Sequence, residues 1–435
     1  MRLGDICLKV GSGATPRGGK AVYLEQGPYS LIRSQNIHNN TFHYNGLAYI
    51  TDKQAEQLSN VAIEENDVLL NITGDSVARA CQVPKEILPA RVNQHVAIIR
   101  PNPSKLYHRF LRYYLVSPLM QNHMLMLASA GATRNALTKE MIESFEIPPF
   151  SIADQKVIAS VLGALDDKIE NNRRMNETLE EMARAIFKSW FVDFDPVHAK
   201  AEGKQPAHMD AETAALFPSS FGDDGLPVGW RLEELGELAN ILNGHAFKSA
   251  DYVDKGLFLL RTKNFSNNGF AELLSDDVYL PTHFAEEYKK YLCKPFDFHV
   301  VMVAASLGKT AYLFPHMLPA LRNQNMWCFR PKETFPFRFF INLSVKEKIS
   351  HVMGWGTGSA RDFFRKSDFA RHSITICENE LLNAFETAVK AFYEKISINH
   401  HQNETLAELR DTLLPKLMSG EIRVKDAEQE VEAIA

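Results

Sequence analysis

Cysteine is scarce: five in 435 residues, at Cys7, Cys81, Cys293, Cys328 and Cys377, no two of them close in sequence. This spacing excludes a zinc ribbon, a CxxC redox pair and a disulfide scaffold; the five read as small buried apolar residues, and no metal is expected. Long hydrophobic runs are also missing. The longest, such as 300–307, falls well short of the roughly 18 residues that cross a bilayer, so no membrane span is expected. Met1-Arg2-Leu3-Gly4-Asp5 has no apolar stretch leading to a cleavage site, and a cytoplasmic protein is expected. With 45% hydrophobic and 23% charged residues the chain has ordinary globular usage, which excludes a disordered or collagen-like protein. Its length exceeds the roughly 250–300 residues at which one core stops growing, so two or more domains are expected.

Catalytic motifs are lacking as well. Residues 11–20 look superficially like a phosphate loop, but Ala14 and Ala21 stand where that motif needs glycine and serine or threonine. Ile147-Pro148-Pro149-Phe150 is similar to the Asn-Pro-Pro-Phe box of amino-methyltransferases, with isoleucine in place of the essential amide. Asp166 and Lys168 have the Asp-x-Lys spacing of some nucleases without a companion acid, and the histidines, His95, His400 and His401 included, show no ligand spacing with a carboxylate.

An excess of positive charge is absent too, since the net charge is -5. The average hides a pattern. Residues 1–150 carry 15 basic and 12 acidic side chains and residues 228–378 carry 19 and 16, whereas residues 379–435 carry 6 and 11. Two mildly basic blocks alternate with acidic connectors, and the blocks repeat each other. Leu88-Pro89-Ala90, Asn93-Gln94 and Arg100-Pro101 recur as Leu318-Pro319-Ala320, Asn323-Gln324 and Arg330-Pro331, an offset of 230. Asn176-Glu177-Thr178-Leu179 recurs as Asn403-Glu404-Thr405-Leu406, Arg33 and Asn36 as Arg261 and Asn264, and Gly131 and Arg134 as Gly358 and Arg361. The organisation read from this is block 1–150, helical region 151–205, linker 206–227, block 228–378 and helical region 379–435.

The connectors carry heptad seams. Ile158, Leu162, Leu165, Ile169, Asn172, Asn176 and Leu179 keep a strict four-three spacing, as do Phe385, Val389, Phe392, Ile396, Asn399, Asn403 and Leu406; farther along, Arg410 interrupts the second seam. Two asparagines in each seam fix register, because a slipped alignment would bury an amide without a partner. The two helices are expected to pack antiparallel as a coiled coil. Each block reads as α+β: residues 29–33, 67–72 and 96–100 as strands and 107–127 as helix, matched by strands at 257–261, 298–304 and 326–330 and a helix at 335–350.

Polar and basic residues gather where these strands end. Thr15, Arg17, Arg33, Gln35, Asn36, Asp75, Arg79 and Arg134 in the first block, and Lys248, Arg261, Lys263, Asn264, Lys309 and Arg361 in the second, are the candidates for contact with double-stranded DNA. Arginine pairs bidentately with guanine and asparagine or glutamine with adenine, so this mixture suits sequence reading better than a lysine patch would. For Arg33, Arg261, Asn36 and Asn264, holding a turn or pairing with an acid is an equal alternative. A diverged single-chain methyltransferase or nuclease, and a coiled-coil adaptor with two protein-binding heads, are the rival readings.

Two strings narrow the field: Phe187-Lys188-Ser189-Trp190-Phe191-Val192-Asp193-Phe194-Asp195-Pro196 closing the first helical region, and Leu413-Leu414-Pro415-Lys416-Leu417-Met418-Ser419-Gly420-Glu421-Ile422 near the C-terminus. With the twofold repeat, they make the whole chain resemble the specificity subunit of type I restriction-modification systems. The resemblance implies two target recognition domains, each reading half of a bipartite asymmetric DNA sequence, and helices that set the gap and dock methyltransferase subunits. It further implies no active site and no cofactor in this chain. S-adenosylmethionine would belong to two methyltransferase subunits, and ATP and magnesium to two restriction subunits.

Overall fold

The computed structural model describes residues 1–129, 135–302, 306–354 and 365–432. The chain forms two compact units, Met1–Glu170 with Asn403–Ala435, and Asn171–Gln402. In the first unit, strands β1 (Cys7–Ser12), β2 (Tyr29–Ile32), β3 (Ala48–Ile50), β4 (Val68–Asn71), β5 (Ala80–Gln82), β6 (Ala90–Val92) and β7 (Val96–Pro101) form two sheets, ordered β1-β7-β4-β5 and β3-β2-β6. β7 shows why its sequence is apolar without alternation. Ala97 and Ile99 face a core shared with the helices, while Val96 and Ile98 face a second core under the smaller sheet. Ile98 and Ile99 are fully buried, which contributes roughly 1.5–3 kcal/mol each.

In the second unit, β8 (Arg231–Glu234) pairs with β16 (Ser373–Ile376). Between them lie β9 (Ala239–Asn243), β10 (Leu257–Leu260), β11 (Tyr279–Leu280), β12 (Phe298–Val301), β13 (Thr310–Tyr312), β14 (Ala320–Arg322) and β15 (Met326–Pro331). Their sheets, β9-β15-β12-β13 and β11-β10-β14, repeat the topology of the first unit, down to the parallel pairs β2 with β6 and β10 with β14. The Leu88-Pro89 and Leu318-Pro319 peptides that lead into β6 and β14 are both cis. A buried ion pair is repeated as well. Asp67 receives Arg100 through Nε at 2.7 Å and Nη2 at 2.8 Å, and Asp297 receives Arg330 Nε at 3.1 Å and Arg338 Nη1 at 3.1 Å.

The expected helix at 107–127 is two helices, His108–Val116 and Pro118–Ser129. Pro118 lacks the N–H that would continue the first helix and suits the start of the second. The helix expected from residue 335 begins at Arg338, because Pro336 disfavours helical backbone in the residue before it. The segment 206–227 is no free tether: Asp210 caps a short helix, Ala211–Ala215, and Phe217 is buried edge-on against Trp190 at 5.1 Å.

The long helices run Ile152–Phe191 and Asn379–Ser419, roughly 60 Å each at 1.5 Å per residue. Within the second unit they pair antiparallel: Trp190 meets Phe385, Asn399 Nδ2 donates to Asn176 Oδ1 at 2.8 Å, and Asn172 Nδ2 donates to Gln402 Oε1 at 2.9 Å. Leu179, Phe385, Val389, Phe392 and Ile396 lie in that unit's core. Within the first unit Ile158, Leu162, Leu165 and Ile169 share a core with Leu406. Arg410, the seam's apparent fault, donates to Asp166 at 3.0 Å, and Asp166 also accepts from Arg112 and Tyr113. The Asp-x-Lys aspartate is therefore a structural anion.

Glu386 accepts the Phe340 N–H at 2.8 Å in the first turn of the helix Arg338–Gly354, yet burial pushes its carboxyl up to about 7 against the amides of Phe340 and Phe339 and the Arg338 charge. A folded pKa above the unfolded one stabilises below pH 4.5, and that contribution is lost as pH rises through 7. Glu386→Gln keeps the acceptor and drops the titration. It is expected to exceed the wild type in stability at pH 8 by about 2–3 kcal/mol and to match it at pH 5, as measured by urea unfolding. Equal pH profiles for the two proteins would rule the account out.

Candidate nucleic-acid interface

In the first unit the ends of β2 and β4 are tied together. Asn71, closing β4, donates through Nδ2 to the Ser34 carbonyl at 2.9 Å and to Ser76 Oγ at 3.1 Å, so the turn after β2 and the loop 73–79 share one wall. They line a concavity of about 950 Å³ that brings together Gln35, Asp75 and Arg79 with His95 and Asn135. His95 Nδ1 lies 2.6 Å from Thr73 Oγ1, and the Gln35 amide donates to the Gly46 carbonyl at 3.2 Å, so both side chains are held in place. Behind Arg79, His38 stacks on His43 at 3.7 Å, and burial together with the neighbouring His43 and Arg79 charges holds its pKa below the usual value.

The other candidates in this unit lie apart from that wall. Arg17 is exposed, and Thr15 bonds to Gln94. Their loop leaves β1 through Gly13, where a Cβ would sit 2.3 Å from the Val92 and Asn93 carbonyl oxygens, so only glycine permits this approach. Arg33 donates to the Gly46 carbonyl and lies over the Tyr23 ring at 5.4 Å. Asn36 is fully buried; it accepts the Arg33 N–H at 3.0 Å and donates to the His43 carbonyl at 2.9 Å.

In the second unit Asn264 repeats that turn, accepting the Arg261 N–H at 3.0 Å and donating to the Glu272 carbonyl and to Asp277. These two amides are committed inside the protein, and neither is available to a base edge. Their identity in both blocks reflects the turn. Arg261 donates to the Asp276 carbonyl at 3.0 Å and Lys263 to the same oxygen at 2.9 Å, with Lys263 also 2.6 Å from the Asp276 carboxylate, whose pKa it lowers. Lys248 and Lys309 are exposed. Arg134 and Arg361 lie outside the described residues.

A concave wall of amide, carboxylate, guanidinium and imidazole groups offers the donors and acceptors that base edges pair with, and its walls are the loops rather than the cores. Asn135 went unread in the sequence, and His95 was weighed there only as a metal ligand. His95 follows Asn93-Gln94, whose repetition as Asn323-Gln324 pointed only to structure.

A family model described as the type I restriction modification DNA specificity domain matches twice, at residues 1–181 and 227–406. The chain belongs to that family. Among curated relatives, the type I restriction enzyme HindI specificity subunit of Haemophilus influenzae is 25% identical, over 90% of this chain and 94% of its own. The MjaIX specificity subunit of Methanocaldococcus jannaschii is 26% identical, over 96% and 92%. A crystal structure of a type I restriction-modification system S subunit from M. genitalium shares the fold with a TM-score of 0.53 at 16% identity, covering 96% of this chain and 95% of that one. A type I specificity chain supplies DNA selection and no catalysis of its own, so the two matched domains are where its function resides. Among the described residues no helix is long and apolar enough to cross a membrane.

Proposed function

We propose that this chain selects the DNA target of a type I restriction-modification complex in the cytoplasm, the first block reading one half of a gapped, asymmetric sequence and the second block the other. The supporting observation is that one scaffold occurs twice with different side chains at matching places. The turn Arg33-Ser34-Gln35-Asn36 becomes Arg261-Thr262-Lys263-Asn264, and Arg79 becomes Lys309 at the offset of 230. Like backbones with unlike donors read unlike half-sites. The long helices set the gap and offer the docking face for two methyltransferase subunits, which would carry S-adenosylmethionine; two restriction subunits would carry ATP and magnesium.

Mapping N6-methyladenine in host DNA with and without the gene tests this reading: one gapped motif should disappear on deletion, and an unchanged map would count against it. Within the first half-site, Arg79→Ala should cost about 1–3 kcal/mol, roughly 5- to 150-fold, at one base pair in a competition assay with the methyltransferase present. A loss uniform across sequences would assign Arg79 to phosphate instead.

A further inference from the structure

We propose that Cys293, His299, Cys328 and Asp297 bind a zinc ion inside the second recognition block. The ligand atoms of Asp297, His299 and Cys328, all buried, lie within 4.8 Å of one another, and Cys293 Sγ is 3.9 Å from His299 Nε2. On a zinc tetrahedron with bonds of about 2.0–2.3 Å, neighbouring ligand atoms sit about 3.5 Å apart, so binding would draw these side chains together by rotation.

The internal repeat shows that these residues are not demanded by the fold. At the offset of 230 the first block has Ile63, Leu69 and Ile98 in place of Cys293, His299 and Cys328, all three buried. The strand register is the same, Leu69 opposite Ile98 and His299 opposite Cys328. A closed core that packs with three aliphatic side chains has, in its second copy, two thiols and an imidazole in their places. Asp67 and Asp297 match in both blocks, so the carboxylate is inherited and the three softer ligands are what the second block adds.

The imidazole is also poorly served by the protein alone. His299 is fully buried, its Nδ1 has no hydrogen-bond partner, and Nε2 has only the sulfur of Cys293. Burying such a group costs free energy unless something bonds to it. Zinc on Nε2 would replace the long sulfur contact with a metal–nitrogen bond, with both thiols giving up their protons as it binds. Asp297 now takes the Lys294 N–H, Arg330 and Arg338 on its two oxygens. Arg338, the more exposed of the two arginines, is the donor that would yield its place to the metal. Two thiolates, one carboxylate and Zn²⁺ leave one negative charge, and Arg322 and Arg330, both bonded to the Leu292 carbonyl beside Cys293, stand against it.

The test is metal analysis of the full chain purified under reducing conditions, before and after incubation with zinc, and cobalt substitution read by its thiolate charge-transfer absorption. About one zinc per chain and a cobalt band are expected. The variant Cys293→Ile, His299→Leu, Cys328→Ile installs the first block's own residues and should stay folded by circular dichroism while losing the metal at least tenfold. His299→Leu alone should weaken zinc retention against a chelator. Wild-type protein that takes up neither zinc nor cobalt overturns the proposal, as does a folded triple variant that keeps the metal.

Discussion

Replacing residues 228–378 with the corresponding block of another type I specificity chain is expected to change one half of the methylated sequence and leave the other half intact. Discrimination of about 1–3 kcal/mol per base pair over three or four positions amounts to at least about a hundredfold change of preference. The wall of Gln35, Asp75, Arg79 and His95 belongs wholly to the first unit, so the exchange replaces none of its residues. The exchange is delicate at its other face. Phe340 packs edge-on against Phe385, and Phe339 stacks on Tyr393 at 4.8 Å, so a donor block must present compatible aromatics to the helix Asn379–Ser419. The readout is adenine methylation mapped across the genome. A hybrid that folds and alters both halves would contradict reading by separate blocks.

Asp67→Ala should destabilise the first unit by about 3–5 kcal/mol, because it leaves the Arg100 guanidinium in a buried place without its main partner. Asp67 is fully buried and takes Nε and Nη2 of Arg100, along with the Glu64 N–H at 2.8 Å. Arg100 has a second, exposed partner in Glu64, which places the expectation at the lower end of the range. Amide exchange resolves the effect by position. Protection across β7 should fall on the order of a hundredfold, with β15 in the other unit unchanged. Removing both partners, Asp67→Leu with Arg100→Met, should restore most of the loss, since an apolar pair costs no desolvation. A loss below about 1 kcal/mol in the single variant would mean that water reaches the pair.

The repeat was legible in the sequence because the residues that carry it are ones the backbone insists on. Asn36 and Asn264 close the same turn, the two Leu-Pro steps lead into the same strand, and the aspartate–arginine pair recurs at one offset. The seams were legible from period alone. What could not be read was anything requiring two distant segments at once. For Asn36 and Asn264 reading bases and holding a turn were equal alternatives, and only their burial shows them committed to the turn. Arg410 looked like a flaw until Asp166, far away in sequence, was found opposite it. The wall at Arg79 draws on four separate stretches, and no spacing rule joins Gln35 to Asn135. His299 and Cys328 are 29 residues apart, outside every ligand spacing, and become neighbours through strand pairing.

The division of the chain has a consequence for synthesis. The second unit is one continuous stretch, but the first is completed by residues 403–435, whose Leu406, Leu413, Leu414 and Leu417 close the core around Ile158, Leu162 and Leu165. On the ribosome the first block therefore emerges first and waits, with the apolar stripe of its helix uncovered, until nearly the whole chain has been made. A premature stop after residue 402 would spare the second unit's contacts while leaving the earliest-made block unfinished, a state in which exposed apolar surface invites aggregation.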